Sequence, residues 1–93
     1  MPWRRRDTPE QEEALTKLGA RGNTAARRYI HMLRERFPDL GEDWEVTRFY
    51  DRTILVEVNI ADIERLGEIA EQMGPVSQDI LEDTGELVVA IPR

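Results

Sequence analysis

The sequence predicts a single α+β domain of order α-α-β-β-α-β-β, in which a four-stranded antiparallel sheet carries its helices on one face. Three observations lead there. Residues 53–59 alternate Ile54, Val56 and Val58 with Thr53, Leu55, Glu57 and Asn59, the period of a strand with one uniformly apolar face. A second β-branched and aliphatic run, Leu87 to Ile91, lies near the end of the chain. Between and before these runs, Ala26, Tyr29, Ile30, Leu33 and Phe37, and then Ile63, Leu66, Ala70 and Met73, recur at three- and four-residue spacing, the mark of amphipathic helices.

The elements follow in order. Residues 1–7, with Trp3 and Arg4-Arg5-Arg6, form a loose basic arm with too little apolar content to pack, and residues 8–93 form the domain. Thr8 is placed as an N-cap, Pro9 suits the first helical position, and Gln11 stands where a capping box wants Glu or Gln. Glu10, Glu12 and Glu13 favour the positive end of this first helix, and Gly19 and Gly22 end it. Asn23 or Thr24 caps the second helix, which stops at Phe37-Pro38 because a residue before proline avoids helical torsions. Trp44 to Tyr50 reads as a strand. Asp51-Arg52 turns it into the central strand 53–59, although Asp-Arg is a poor two-residue hairpin turn and leaves the register open to a one-residue bulge.

Asn59 or Ala61 starts the third helix, and Gly74-Pro75 stops it. Val76 to Leu81 is then a polar edge strand. Glu82-Asp83-Thr84-Gly85 is a turn with glycine at a positive-φ position, and Leu87 to Ile91 is the last strand. Without the first helix the order is that of a ferredoxin-like layout whose first strand has moved to the end. In that layout the two apolar strands are central and the two polar ones lie at the edges.

Composition bounds the function. A chain of 93 residues with no cysteine forms neither disulfides nor a Cys-ligated zinc site. It has no apolar run near the ~20 residues of a membrane span, so a cytoplasmic protein is expected. Net charge is −6, split as +4 over residues 1–36 (nine basic, five acidic) and −10 over residues 37–93 (four basic, fourteen acidic). Lys17 is the one lysine among 13 basic residues, a balance expected of a salt-loving cell or a GC-rich genome.

Two surfaces stand out. If Ile54, Val56, Leu87, Val89 and Ile91 point toward the helices, then Leu55, Val88 and Ala90 point away. Trp44, Val46 and Tyr50 join them if the hairpin closes on Asp51-Arg52, and a bulge places Phe49 there instead. Such an apolar patch is seldom bare on a small monomer. It predicts a homodimer through sheet faces or a ligand groove, unless the first helix folds over it.

The second surface is the exposed side of the second helix. Arg27, Arg28, His31 and Arg34 cluster there, with Arg21 and the basic arm nearby, and this side suits phosphate or another polyanion. The alternative is a solvated face whose arginines pair with nearby carboxylates.

Chemistry is sparse. His31 is the sole histidine and Ser77 the sole serine, with no partner spacing that suggests a triad. The scattered glycines match no phosphate loop. Glu64, Glu68 and Glu71 share one helix side but lack the oxygen-rich loop of a calcium site. The sequence therefore predicts a non-catalytic interaction or ligand-sensing module with no cofactor or metal. Its expected partner is a second copy, another protein or a small ligand, and nucleic-acid binding through the arm and arginine face is the alternative.

Overall fold

The computed structural model describes residues 9–40, 44–49, 53–60 and 62–92. The arm, Thr8, Tyr50, Asp51 and Arg52 lie outside them. The elements are α1 (Pro9–Lys17), α2 (Gly19–Arg36), a 3-10 turn (Pro38–Leu40), β1 (Trp44–Phe49), β2 (Thr53–Val58), α3 (Ile63–Thr84) and β3 (Leu87–Pro92). The architecture is α+β, with three α-helices and a mixed three-stranded sheet of order β1-β2-β3.

α1 and α2 are separated by a break at Leu18, after which Gly19 takes a left-handed φ of 84° at the start of α2. The second helix thus begins at Gly19, ahead of the expected caps Asn23 and Thr24, and the glycines at 19 and 22 belong to it rather than ending α1. Gly22 is at a close approach: a Cβ there would lie 2.9 Å from the Leu18 Cβ and 2.7 Å from Arg48 Nη2. At its far end, α2 closes with the Phe37 N–H donating to the Leu33 carbonyl at 2.8 Å, and Phe37 is buried. The Arg65 guanidinium sits 4.8 Å above the Phe37 ring and pairs with Glu68 and Asp39, pinning the start of α3 to the end of α2.

The largest difference from expectation is α3. Asp62 caps it, its carboxylate accepting from the Arg65 N–H at 2.8 Å. The helix then runs through Gly74-Pro75 to Thr84 and ends on Gly85 in the left-handed region at φ 79°. Residues 76–81 are therefore helical, and the expected polar edge strand does not form. Proline in a helix interior removes one hydrogen bond and costs about 3 kcal/mol. Against that, Ile69, Met73, Val76, Ser77 and Ile80 form one continuous buried stripe that only an uninterrupted helix presents to the core.

With α3 as the whole connection, β3 pairs parallel to β2, while β1 pairs antiparallel to it. The expected all-antiparallel sheet is thus replaced by a hairpin plus one β-α-β crossover.

The register decides which face each side chain takes. Phe49 pairs with Thr53, so three residues close the hairpin rather than two. That extra residue flips the parity of β1. Trp44, Val46 and Arg48 lie opposite Val58, Val56 and Ile54, on the core side. In β3, Val88 pairs with Ile54 and Ala90 with Val56, so these too face the core. One core unites Leu15 of α1, Leu18 at the break, the stripes of α2 and α3, and Trp44, Val46, Ile54, Val56, Val58 and Val88.

Candidate functional site

The opposite face of the sheet carries Leu55 and Val89 as register partners, flanked by the pairs Thr53–Leu87 and Glu57–Ile91, with Thr47 and Glu45 beside them on β1. Leu55, Leu87, Val89 and Ile91 are all partly exposed. This corrects the membership of the predicted face. Trp44, Val46 and Val88 are at most 7% exposed on the helix side, and Ala90 packs against the core. Leu55 alone of the six named residues is placed on the open face, and Tyr50 is outside the described residues. α1 does not cover this face: its Leu15, with Leu18 just after it, joins the core on the other side.

Two signals in the sequence bear on the error. The poor turn chemistry of Asp51-Arg52 was itself a mark of a longer loop. In β3 the bulkier set, Leu87, Val89 and Ile91, was expected to point inward. α3 instead lies against the smaller set, and Ser77 and Tyr29 reach the strand there.

That contact is polar. Ser77 Oγ donates to the Val88 carbonyl at 2.7 Å. The buried Tyr29 hydroxyl bonds Ser77 and the backbone of Ala90. Burial pushes the Tyr29 phenol up to about 12, the two hydrogen bonds opposing the rise. An apolar cleft of about 180 Å³ lies beside this pair, lined by Ile69, Met73, Gly74 and Val89 among others.

The arginines of α2 do not form one patch. Arg27 grips the Glu12 carboxylate with both terminal nitrogens, at 2.6 and 3.3 Å, and its Nε donates to Asn23 at 2.5 Å. Arg28 pairs with Asp83 at the end of α3 at 2.7 Å, and His31 with Glu35 at 3.1 Å. Arg21 lies toward Gly85, whose Cβ, if it had one, would sit 3.8 Å from Arg21 Nη1. Arg27, His31 and Arg34 do converge on a small cleft of about 80 Å³ with Leu15, Ile30 and Trp44. The Trp44 indole N–H is buried without a hydrogen-bond partner among the described residues.

Ser77 donates to the Val88 main-chain carbonyl, and His31 stands on an exposed helix face beside Glu35. Among the described residues no cluster of three metal-ligating side chains occurs, and no helix is long and apolar enough to cross a membrane. The chain matches no known protein family, no curated protein and no solved structure.

Proposed function

We propose that this protein is a non-enzymatic interaction module that associates with a second copy through the open face of its sheet. One observation carries the reading. Leu55, Leu87, Val89 and Ile91 lie side by side on two adjacent strands, on a face that contributes nothing to the core. Aliphatic residues so grouped are a common basis of association between small domains. The like-charged Glu45–Glu57 pair at one end gives the surface polarity. It disfavours stacking two copies acid over acid and favours stacking them end to opposite end.

Native mass spectrometry of the freshly purified protein tests this. An assembly that loses copies on Leu55→Asp while each chain stays folded supports the face. A reproducible added mass, lost in the same variant, identifies the face as a ligand groove instead. A wild-type monomer at tens of micromolar with nothing bound ends the proposal.

The nucleic-acid alternative has one observation in its favour, the convergence of Arg27, His31 and Arg34 on a cleft. The carboxylate partners of Arg27 and Arg28 weigh against it, as does the net charge of −6. It predicts binding that weakens steeply with salt and disappears when Arg27, Arg28 and Arg34 are changed to Glu.

A further inference from the structure

The two edges of the sheet are treated differently. At the β3 edge, Ser77 occupies the Val88 carbonyl, Tyr29 engages the Ala90 backbone, and Pro92 has no N–H to offer. These three devices engage β3 at successive outward-facing residues from Val88 to Pro92, whereas the corresponding contact on β1 falls at its first residue. At the β1 edge, Gln11 Nε2 donates to the Trp44 carbonyl at 2.7 Å. In an antiparallel pair, residues whose backbone groups face the neighbouring strand alternate with residues whose groups face away. Trp44 directs its carbonyl outward to Gln11, so Val46, two residues on, faces its N–H and carbonyl outward as well. Beside it runs an open groove of about 360 Å³ between β1 and α1, lined by Glu10, Glu13, Ala14 and Lys17 on the helix and by Val46 and Thr47 on the strand.

We propose that this edge pairs with the same edge of a second copy, antiparallel and centred on Val46, joining two three-stranded sheets into one of six strands. Three features make the edge self-complementary. First, the centre on Val46 sets Glu45 opposite Thr47 of the second copy, whereas a shift of two residues toward the N-terminus of β1 would oppose Glu45 to itself.

Second, α1 runs in the same direction as β1. Gln11 meets Trp44, and the Leu18 carbonyl accepts from Arg48 Nη2 at 3.0 Å. Seven helical residues rise about 10 Å and four strand residues about 13 Å, so the midpoint of this stretch of α1 lies beside Val46. Third, a two-fold axis through Val46 and normal to the sheet places the two copies of α1 antiparallel on the same side. Lys17 of each then faces the Glu10–Glu13 end of the other. The Glu13–Lys17 pair within one helix is exposed, with its nitrogen and oxygen 3.8 Å apart, and is weak enough to exchange partners. The groove holds acid at one end and base at the other, the pattern an isologous contact requires.

This interface is separate from the open face, and the test keeps them apart. Leu55→Asp/Val89→Asp removes association through the face; should that pair unfold the chain, as judged by circular dichroism, Leu55→Asp alone serves. In that background, native mass spectrometry is expected to show a dimer, and the Val46 amide to exchange slowly. Lys17→Glu is expected to weaken the dimer about tenfold, from two equivalent contacts of less than 1 kcal/mol each. The triple swap Glu10→Lys/Glu13→Lys/Lys17→Glu restores it. A monomer in the face-blocked background overturns edge pairing while leaving the face reading intact. A dimer untouched by face variants does the reverse. A face-blocked dimer indifferent to Lys17→Glu, with a fast-exchanging Val46 amide, also overturns edge pairing.

Discussion

Ser77 and Val88 are joined by a 2.7 Å hydrogen bond from the serine hydroxyl to the strand carbonyl, which fastens the middle of α3 to the sheet's outer strand. Both residues are buried. Ser77→Ala leaves the Val88 carbonyl unpaired, and an orphaned buried acceptor costs about 1–3 kcal/mol. Urea unfolding of the variant is expected to show a loss of that size with an unchanged m-value. A loss below about 0.5 kcal/mol would mean that water takes over the carbonyl.

Tyr29 gives the fold a dependence on alkaline pH. Its phenol is raised in the folded state from 10.0 to about 12, chiefly by burial. For a group whose folded pKa is raised, the associated stability is fully present below the unfolded value and is lost as pH rises through the folded one. The loss therefore falls between about pH 10 and pH 12, and amounts to roughly 2–3 kcal/mol at about 1.4 kcal/mol per unit. Subtracting the stability–pH curve of Tyr29→Phe from that of the wild type isolates this contribution, and a flat difference across that window would contradict it.

The glycines within helices separate cleanly. Beyond its chain neighbours and the helix's own backbone, a Cβ at Gly67 or Gly74 meets no atom within 4 Å, and neither has a positive φ. Gly67→Ala is expected to stabilise the protein by about 0.5–1 kcal/mol, the helix-propensity difference, whereas at position 74 a Cβ would crowd the ring of Pro75, because a residue before proline avoids helical torsions. Gly22→Ala is expected to destabilise the protein, because the new methyl group meets Leu18 Cβ at 2.9 Å. Thermal melts of Gly67→Ala and Gly22→Ala should move in opposite directions.

Trp44 hides a donor that has no acceptor among the described residues. Trp44→Phe removes that donor, relieving about 1–3 kcal/mol, and loses ring volume of comparable worth. The expected net change is within about 1 kcal/mol, far less than is usual for trimming a buried tryptophan. A loss above about 2 kcal/mol in chemical denaturation would show that the indole N–H is satisfied in solution.

Sequence patterning made much of this fold legible. The alternation of Ile54, Val56 and Val58 marks the buried face of β2, and the three- and four-residue spacing from Ala26 to Phe37 marks the buried side of α2. Two features were hidden for physical reasons. Pro75 carries a strong local stop signal that tertiary packing outweighs, and the mark against a strand is the four-residue spacing of Val76 and Ile80. The orientation of β1 hangs on a single residue in the hairpin loop, and one residue reverses every side chain on a strand. The candidate surface was legible as an aliphatic face but not in its membership, since that depends on the same parity.

The crossover from β2 to β3 also sets an order of assembly. The β1–β2 hairpin closes over three residues, whereas β3 reaches β2 only after the 22-residue α3 has been laid down. Local closure is fast and long-range parallel pairing is slow. On these rates the hairpin is expected to close first and β3 to join β2 last, an order that pulse-labelled hydrogen exchange checks. Conditions that delay α3 are then expected to lengthen the interval in which β2 is open to strands of other chains.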